Sequence, residues 1–406
     1  MTTGWQGAEP SAAALARCVG DVAEFRDRVW GRRPLLQRRT GEDTFADLLS
    51  FDAVDQILTA TSPRRPAIRL VREGREVPTA SYTRSGTLGS RTLTDLPDVR
   101  RVLGLFDDGA TIVLQGLHRT WPAVGRLCRQ LEAFLTHPVQ ANAYLTPPSS
   151  QGLRVHHDTH DVFALQTYGR KRWVTYPPVI ADPLPGQHPS VDPEELGAPD
   201  VDAELEPGDC LYVPRGTLHA AATTGAASLH LTIGVRVVTW HDVARRLLDQ
   251  TRDVAAFREA LPLGFARRSA ELSDEVPARL KQLADLIGDA DPALIAERET
   301  DRLWSNLLVR PEGALRSRLA ELSDETVVAP ADELPFTLRV DGDRLRVRRA
   351  GVELVMPAWV EPAVRGLLTG PVRIGALAGD LDAGSRQVLV ERLVREGMIV
   401  VELAAR

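Results

Sequence analysis

The chain has 406 residues, of which 43% are hydrophobic and 26% are charged, and its formal net charge at pH 7 is -6. This length exceeds what one hydrophobic core usually organises, so we expect two or three domains in a globular protein. The acidic balance argues against a general nucleic-acid binder, because phosphate contacts depend on clustered positive charge, although a local basic patch is still compatible with it.

The sequence carries no sign of a membrane span or a secretory signal. No apolar run is long enough to cross a bilayer, and the start "MTTGWQGAEPSAAALARCVGD" lacks the basic beginning and apolar core of a signal peptide. We therefore expect a cytoplasmic protein without membrane partners. The cysteines Cys18, Cys128 and Cys210 are isolated from one another, which favours small core residues over ligands or disulfides.

The first hundred residues mix helical and irregular signals. The run "AEFRDRVWGRRPLL" predicts a helix that stops near Pro34, and "TLTDLPDVRRVLGLF" predicts a short helical turn followed by a helix. From Thr111 the pattern changes to short β-type runs, which are "TIVLQ", "PVQANAYLT", "DVFALQ", "KRWVTY", "DCLYVP" and "SLHLTIGVRVV". Many short strands separated by turns indicate a barrel or a sandwich.

After Trp240 the apolar residues recur three and four apart. The runs "WHDVARRLLDQ", "VPARLKQLADLIGD" and "DRLWSNLL" predict a helical region over residues 241–328. In the tail we expect two strands around "DGDR", two helices and a last strand "MIVVEL", an order that indicates a small winged helix. Residues 331–406 contain eleven acidic and eleven basic side chains, so a packing or protein-contact role is favoured and nucleic-acid binding by this module is unlikely.

Three of the nine histidines crowd into the stretch "RVHHDTHDVF". On an extended strand, His156 and Asp158 would project to one side while His157 points away. A third ligand is available in "LYVPRGTLHAA", where a returning barrel strand would bring back His219. Two imidazoles and one carboxylate on one face of an ion are the ligand set of non-haem Fe(II) oxygenases. Alone, a His-x-Asp pair on a strand is more often a surface feature, and we expect His157 and His160 to face solvent or to surround the ligands.

Polar residues alternate along two further strands. In "QANAYLT" the side chains of Asn142, Tyr144 and Thr146 share one face, and in "SLHLTIG" His230 lies opposite the leucines. Such a stripe lines a ligand pocket or satisfies backbone groups in the core. Lys171 is one of two lysines in an arginine-rich chain, and its ammonium could meet a ligand carboxylate inside the same barrel.

The segment "NAYLTPPSSQGLRVHHDTHDVFALQTYGRKRWVTY", followed by "LYVPRGTLHAA" and "SLHLTIG", resembles the JmjC-type ribosomal oxygenases. These are cupin-fold enzymes that use Fe(II), 2-oxoglutarate and dioxygen. The resemblance implies a mainly β catalytic domain of the double-stranded β-helix type with flanking helices over residues 1–240. It also implies a helical dimerisation region over residues 241–328, a C-terminal winged helix over residues 329–406, and therefore a homodimer.

The resemblance also assigns roles to single residues. It implies that His156, Asp158 and His219 are the iron ligands, and that Lys171 pairs with the distal carboxylate of 2-oxoglutarate. The remaining expected pocket residues, with less defined roles, are Asn142, Tyr144, Thr146 and His230.

The family's usual targets are arginine or histidine side chains of ribosomal proteins, and a basic peptide substrate agrees with an acidic enzyme. Two alternatives stay open from the sequence. One is the same chemistry on a peptide or small molecule of a specialised pathway. The other is a non-catalytic metal-binding regulator whose winged helix binds DNA.

Overall fold

The computed structural model describes residues 4–7, 9–39, 41, 43–187, 191–192, 195–307 and 312–402. The chain groups into two compact units, one of Ser11–Val237 and one that joins Met1–Pro10 to Val238–Arg406. Within the described ranges, no helix is both long enough and apolar enough to cross a membrane.

The unit Ser11–Val237 is built mainly from strands. Its strands are β1 Leu35–Gln37, β2 Ile68–Arg72, β3 Arg75–Glu76, β4 Thr83–Leu88, β5 Arg91–Pro97, β6 Thr111–Leu114, β7 Val139–Thr146, β8 Asp161–Gly169, β9 Lys171–Tyr176, β10 Val201–Leu205, β11 Cys210–Val213, β12 Leu218–Ala222 and β13 Ser228–Val235. Its helices are α1 Ala13–Val19, α2 Val22–Glu24, α3 Phe51–Gln56, α4 Val99–Asp107, α5 Leu117–Thr120 and α6 Pro122–Leu135, with π-helical turns at Phe25–Val29 and Ile57–Thr61 and a 3-10 turn at Thr79–Ser81.

Most of these strands form two antiparallel sheets. An eight-stranded sheet has the order β1-β11-β8-β13-β7-β6-β2-β3, and a three-stranded sheet has the order β10-β9-β12. Side chains of both sheets share one apolar cluster, which includes Val162 and Leu211 of the large sheet and Trp173 and Leu205 of the small one. The sheets therefore pack face to face, which agrees with the predicted mainly β fold of the JmjC and cupin type.

Strand β8 is covered on both of its faces, which explains why its sequence is a continuous apolar run. Its residues Phe163 and Leu165 join the core that the flanking helices cover, whereas Val162 and Ala164 face the space between the sheets. Since side chains alternate along a strand, a strand covered on both faces is a continuous apolar run rather than an alternating one. The cysteines Cys18, Cys128 and Cys210 are buried and unpaired, so their predicted place in the core is confirmed.

The predicted strands from Thr111 onward are confirmed, with β10 and β12 in addition. The expectation for "TLTDLPDVRRVLGLF" is half wrong. Its helix is α4, but its first part is strand β5, which pairs with β4 in a two-stranded hairpin. Asp98 caps α4 by accepting a hydrogen bond from the Arg101 backbone N–H at 3.3 Å, so the helix begins after Pro97 rather than before it.

The second unit contains the helices α7 Trp240–Asp249, α8 Ala255–Arg258, α9 Ser269–Gly288, α10 Pro292–Asn306, α11 Ala314–Leu319, α12 Glu361–Thr369 and α13 Ala383–Arg395. Its strands are β14 Val327–Pro330, β15 Thr337–Asp341, β16 Arg344–Arg349, β17 Val352–Pro357, β18 Val372–Arg373 and β19 Ile399–Val401, and its 3-10 turns are Gln250–Asp253, Phe265–Arg267, Ala358–Val360 and Ile374–Ala376.

The helical period after Trp240 is confirmed by α7, α9 and α10. In the tail, the two strands around "DGDR" are β15 and β16, and β17 adds a third strand to their sheet. The winged-helix assignment, the dimerisation role of residues 241–328 and the proposed domain boundaries stay predictions. Helix α9 buries none of its side chains and exposes Leu280 and Ile287, which is the kind of surface that a dimer interface would cover.

Gly169 ends β8 at the turn into β9, where the chain approaches the start of β13. Its φ is +63°, and a Cβ built there would lie 1.9 Å from the Ala227 carbonyl oxygen. An L side chain is strained at this φ, and the clash is with backbone that cannot rotate away. This turn places Lys171 at the start of β9, so its geometry bears on the site described below.

We expect Gly169→Ala to lower the free energy of unfolding by about 2–4 kcal/mol, the sum of the φ penalty and the backbone clash. Thermal unfolding followed by circular dichroism measures the effect. Gly104→Ala in α4 is the matched control, since open space surrounds that position and alanine favours a helix by about 1 kcal/mol. Equal losses of stability in both variants would contradict the role of the Gly169 turn.

Candidate metal centre

The expected metal ligands come from two segments that the backbone ties together. His156 and His219 form an isolated antiparallel bridge. The His156 N–H donates to the His219 carbonyl at 3.1 Å, and the His219 N–H donates to the His156 carbonyl at 2.8 Å. The Gly216 N–H also donates to the Asp158 carbonyl at 2.9 Å. The approach of the two segments is therefore fixed by main-chain hydrogen bonds.

The prediction that His156 and Asp158 lie on a regular strand is wrong, because β8 begins at Asp161. The segment before β8 is irregular, and the bridge to β12 orients it instead of a ladder of strand hydrogen bonds. The two side chains nevertheless face the same point as His219.

The ligand atoms of His156, Asp158 and His219 all lie within 4.8 Å of one another. His156 Nε2 is 4.0 Å from Asp158 Oδ1, and His219 Nε2 is 3.7 Å from Asp158 Oδ2. These separations are too long for hydrogen bonds and leave space for a cation between the three groups. Among the described residues, this is the group whose side chains have the spacing to hold a metal ion.

Both imidazoles present the same nitrogen to the centre. His156 Nδ1 lies 2.8 Å from the Arg154 carbonyl, and His219 Nδ1 lies 3.0 Å from the Thr217 carbonyl. A carbonyl only accepts, so Nδ1 carries the proton in each ring and Nε2 offers its lone pair. This backbone hydrogen bond behind a histidine ligand is typical of protein metal sites.

Charge in the cluster favours a bound cation. Burial lowers the pKa of His219 to about 4, so its ring is neutral at pH 7 and ready to bind a metal. Burial alone would raise the pKa of Asp158, but the nearby rings of His219 and His160 outweigh it and hold that pKa below its ordinary value. Asp158 is therefore an anion beside the neutral ring of His219.

Lys171 lies buried in the same cleft. Its Nζ donates to Thr146 Oγ1 at 2.9 Å, and Thr111 Oγ1 donates to the same oxygen at 3.2 Å. Burial lowers the pKa of Lys171 to about 7, and no carboxylate forms an ion pair with it among the residues that the structure describes. A buried ammonium whose partners are neutral hydroxyls fits the carboxylate of an anionic ligand.

Aromatic rings form part of the wall of the same cleft. The rings of Tyr144 and His230 stack with centroids 5.1 Å apart, and Trp173 meets His230 edge to face at 5.3 Å. Trp173 also lies against His219 at 6.0 Å. Burial, with the nearby Lys171 charge, lowers the pKa of His230 well below its ordinary value, and its buried Nδ1 has no hydrogen-bond partner. A neutral ring with an unpartnered nitrogen is suited to a polar ligand atom.

Together these side chains line one cleft. Its volume is about 540 Å³ when the space that is open to solvent is included. The lining residues are Val71, Thr111, Val113, Tyr144, Gly152, Leu153, His156, Asp158, Val162, Lys171, Trp173, His219, Ala221, His230 and Thr232. The structure thus gathers six of the eight predicted site residues on the wall and places Thr146 directly behind Lys171. Asn142 is placed differently, because its Oδ1 accepts a hydrogen bond from the Gly116 N–H at 3.0 Å and it does not line the cleft.

Nine of the fifteen wall residues were not among the predicted site residues, and Trp173 and Thr111 are two of them. Trp173 follows Lys171 by two residues on β9, so strand alternation places both on one face and could have indicated it. Thr111 reaches the site through the pairing of β6 with β7, which no local pattern indicates. His157 and His160 lie beside the cluster. His157 Nε2 is 3.0 Å from the Gln187 carbonyl, and the His160 ring packs against Gly234.

Comparisons with known proteins agree with this geometry. Residues 116–243 match the family model described as JmjC domain. This segment is therefore similar to JmjC domains. The predicted resemblance to JmjC-type proteins is thereby confirmed over this segment, which includes the ligand cluster and Lys171.

Two curated relatives carry the name bifunctional lysine-specific demethylase and histidyl-hydroxylase NO66. The Culex quinquefasciatus protein is 33% identical over 239 residues, which cover 58% of this chain and 36% of the relative. The Aedes aegypti protein is 28% identical over 347 residues, which cover 75% of this chain and 53% of the relative. The chain therefore spans from about a third to a half of the length of these relatives.

Solved structures share the fold over nearly the whole chain. The Escherichia coli ribosomal oxygenase YcfD is 17% identical with a TM-score of 0.53, and the alignment covers 98% of this chain and 100% of that one. YcfD in complex with cobalt and succinic acid is 18% identical with a TM-score of 0.50, covering 94% of this chain and 98% of that one. At such identities the likeness shows the fold alone.

The buried state of Lys171 makes stability depend on pH. Burial lowers its pKa to about 7, whereas an unfolded lysine titrates near 10.4, so between these values the unfolded chain binds more protons. The free energy of unfolding of the wild type, taken relative to that of Lys171→Met, should therefore rise with pH across this window, by up to about 1.4 kcal/mol per pH unit. Urea unfolding of the ligand-free protein at pH 7, 8 and 9, in buffers without carboxylates, measures the difference.

The other lysine of the chain supplies the control. Lys281 is exposed on α9, so the difference between wild type and Lys281→Met should not change over the same pH range. A pH-independent difference for Lys171→Met as well would mean that Lys171 keeps an ordinary pKa in the folded protein.

Proposed function

We propose that the protein is an Fe(II)- and 2-oxoglutarate-dependent oxygenase that hydroxylates a side chain of a ribosomal protein. The observation that carries this proposal is the placement, in one cleft, of three converging ligand atoms and a buried lysine without a counter-charge. The three ligand atoms would be enough to bind a metal alone. Binding a metal together with a dicarboxylate requires the buried lysine as well.

In this proposal His156, Asp158 and His219 would hold the iron, and a set of three protein ligands would leave it accessible to small ligands. When bound, iron with 2-oxoglutarate and dioxygen supplies the oxidising power that replaces a C–H hydrogen by hydroxyl, while 2-oxoglutarate becomes succinate and carbon dioxide. The hydrogen bonds from the two Nδ1 atoms to backbone carbonyls keep both rings in the ligand tautomer.

Lys171 is proposed to bind the distal carboxylate of 2-oxoglutarate. Thr175, four residues further along β9, pairs with His219, so Lys171 starts about 13 Å along the strand from the ligand cluster at ~3.3 Å per residue. Its side chain is drawn into the cleft by Thr146, which also accepts from Thr111. The solved structure of YcfD with cobalt and succinic acid supports this use of the cleft by a dicarboxylate.

The cleft wall between these ends is aromatic and apolar. Trp173, Val113 and Val162 would exclude water from the region between the metal and Lys171. Low local dielectric strengthens the attraction between an ammonium and a carboxylate, which favours ligand binding at Lys171. Tyr144 and His230 would pack against the carbon chain of the ligand, with His230 Nδ1 available for one hydrogen bond.

The ribosomal target is supported by the names of the relatives, which include a histidyl-hydroxylase and a ribosomal oxygenase. Between histidine and arginine, the wall favours histidine. Asp158 is the one carboxylate among the described wall residues, and in the proposal it binds the metal. A guanidinium would therefore enter beside Lys171 without a counter-charge, whereas a neutral imidazole carries no such cost.

We expect a visible charge-transfer band when Fe(II) and 2-oxoglutarate are added anaerobically to the purified protein. His219→Ala should lose the band, because it removes one of three metal ligands. Lys171→Met should retain metal binding but require roughly 10- to 100-fold more 2-oxoglutarate, the equivalent of about 1.5–3 kcal/mol for a charged hydrogen bond. Lys281→Met is again the control.

Absence of the band in the wild type, together with tight binding of another metal, would contradict the oxygenase proposal. The protein would then fit the metal-binding regulator, which should not turn 2-oxoglutarate into succinate.

The substrate is tested by mass spectrometry of ribosomal proteins from cells with and without the gene. We expect a mass increase of one oxygen atom on a single ribosomal protein, located on a histidine, which disappears with the gene and returns with the wild type but not with His219→Ala. An oxygenase that produces succinate without any such mark would act on a peptide or small molecule instead.

A further inference from the structure

A basic surface lies on the strand-rich unit, in a chain that is acidic as a whole. Residues 64–101 contain nine arginines and four acidic residues, although the formal net charge of the chain is -6. Positive charge is therefore concentrated in this segment. Eight of the arginines are exposed, and we call them the basic face: Arg64, Arg65, Arg72, Arg75, Arg84, Arg91, Arg100 and Arg101.

Contacts between elements bring together the segments that carry these arginines. Arg64 Nε donates to a backbone carbonyl of β5 at 3.0 Å, so the segment before β2 adjoins the hairpin β4–β5. Arg65 forms an ion pair with Glu76 at 3.2 Å, which ties the same segment to β3. Arg101 at the start of α4 donates to a backbone carbonyl of β4 at 3.4 Å. The arginines thus belong to neighbouring elements.

Most of this charge is uncompensated. Arg65 and Arg101 have acidic partners, in Glu76 and Asp98. Within the part of the chain that the structure describes, no ion pair is formed by Arg72, Arg75, Arg84, Arg91 or Arg100. Arginines elsewhere in the unit are commonly paired, as Arg17 is with both Asp43 and Asp47. Uncompensated positive charge attracts an anionic partner.

The segment that carries the basic face adjoins the wall of the cleft. Val71 lines the cleft, and Arg72, the next residue of β2, projects from the opposite face of the strand. The Gly74 N–H, in the turn between β2 and β3, donates to the carbonyl of Gly152, which is another wall residue. The exposed Arg154 also packs over this turn, since a Cβ at Gly74 would lie 2.8 Å from its Cγ. A partner on the basic face would lie beside a substrate in the cleft.

We propose that the basic face binds the phosphate backbone of RNA next to the cleft. The choice of RNA rests on the proposed function, because a ribosomal protein carries RNA around its exposed segments. A basic protein segment would itself be repelled by these arginines, so the surface fits the nucleic acid that accompanies the substrate. Arginine also matches phosphate in geometry, with planar paired donors.

The contacts are to the backbone rather than to bases. Tyr82 is the one aromatic residue in residues 64–101, and it is buried, so the surface offers no ring on which a base could stack. Binding should therefore depend little on sequence and strongly on salt, because each neutralised phosphate releases counterions. The arginines would position an RNA-bound substrate without selecting the base sequence.

The test measures binding of the full-length protein to a fluorescently labelled 20-nucleotide single-stranded RNA by anisotropy, between 50 and 200 mM salt. One variant changes four arginines of the basic face, Arg72, Arg75, Arg84 and Arg91, to glutamine. The matched control changes four exposed arginines that precede β1 at the opposite edge of the same sheet, Arg26, Arg28, Arg32 and Arg33. Circular dichroism verifies the fold of both variants.

We expect the variant of the basic face to bind RNA at least 10-fold more weakly at 50 mM salt, and the control to stay within about twofold of the wild type. The slope of log affinity against log salt should fall in magnitude by about 3 in the variant of the basic face, at about 0.7 for each of four lost phosphate contacts. The control should keep the slope of the wild type.

Three results would overturn the proposal. Equal losses in both variants would mean that only net charge matters. Displacement of the RNA by poly-L-glutamate at equal charge concentration would assign the surface to an acidic protein, and tighter binding of a 20-base-pair DNA duplex would assign it to DNA. The measurement uses neither iron nor 2-oxoglutarate, so its failure is distinguishable from failure of the oxygenase proposal, which the charge-transfer band reports.

Discussion

The reciprocal pair of hydrogen bonds between the His156 and His219 backbones is the constraint on which the rest of the site depends. The two histidines come from segments on either side of the long connection between β9 and β10, and they belong to no common sheet ladder. Because each backbone bonds the other, both rings start from fixed points. Their Nδ1 atoms then bond carbonyls two residues away, so the direction of each Nε2 follows from main-chain geometry. Precision of this kind is what a facial ligand set requires.

The same cleft contains buried polar groups whose hydrogen-bonding capacity is not fully used in the folded chain. A buried ammonium bonded to a neutral hydroxyl, and a buried imidazole nitrogen without a partner, each cost stability. The strand pairing of β7 with β13 and the turn at Gly169 hold Tyr144, His230 and Lys171 in these positions in spite of that cost. Incompletely satisfied polar groups in a cleft that is otherwise lined mainly by apolar side chains are typical of a preformed ligand site.

Sequence patterns predicted the parts of this molecule that depend on local order. Alternation along β7 and β13 indicated which side chains share a face, and the order of strands after Thr111 indicated the facing sheets. The predicted strand for His156 and Asp158 failed because the bridge that orients them is formed by residues distant in sequence. Thr111 was missed for the same reason, since β6 supplies it through a pairing with β7. Asn142 shares the predicted face, but its amide is engaged by the Gly116 backbone.

The net charge of the chain and the local distribution of its charges lead to different expectations about binding partners. A net charge of -6 led to the expectation that nucleic acid is an unlikely partner, yet the average hides the distribution. The segment that forms β5 was expected to be a helical turn, whereas it is a strand whose hairpin with β4 adjoins the arginines before β2. Binding by phosphate contact depends on the local density of charge, because counterion release is set by the groups that touch the nucleic acid. The fold, rather than the composition, therefore decides whether this acidic chain presents a surface for a polyanion.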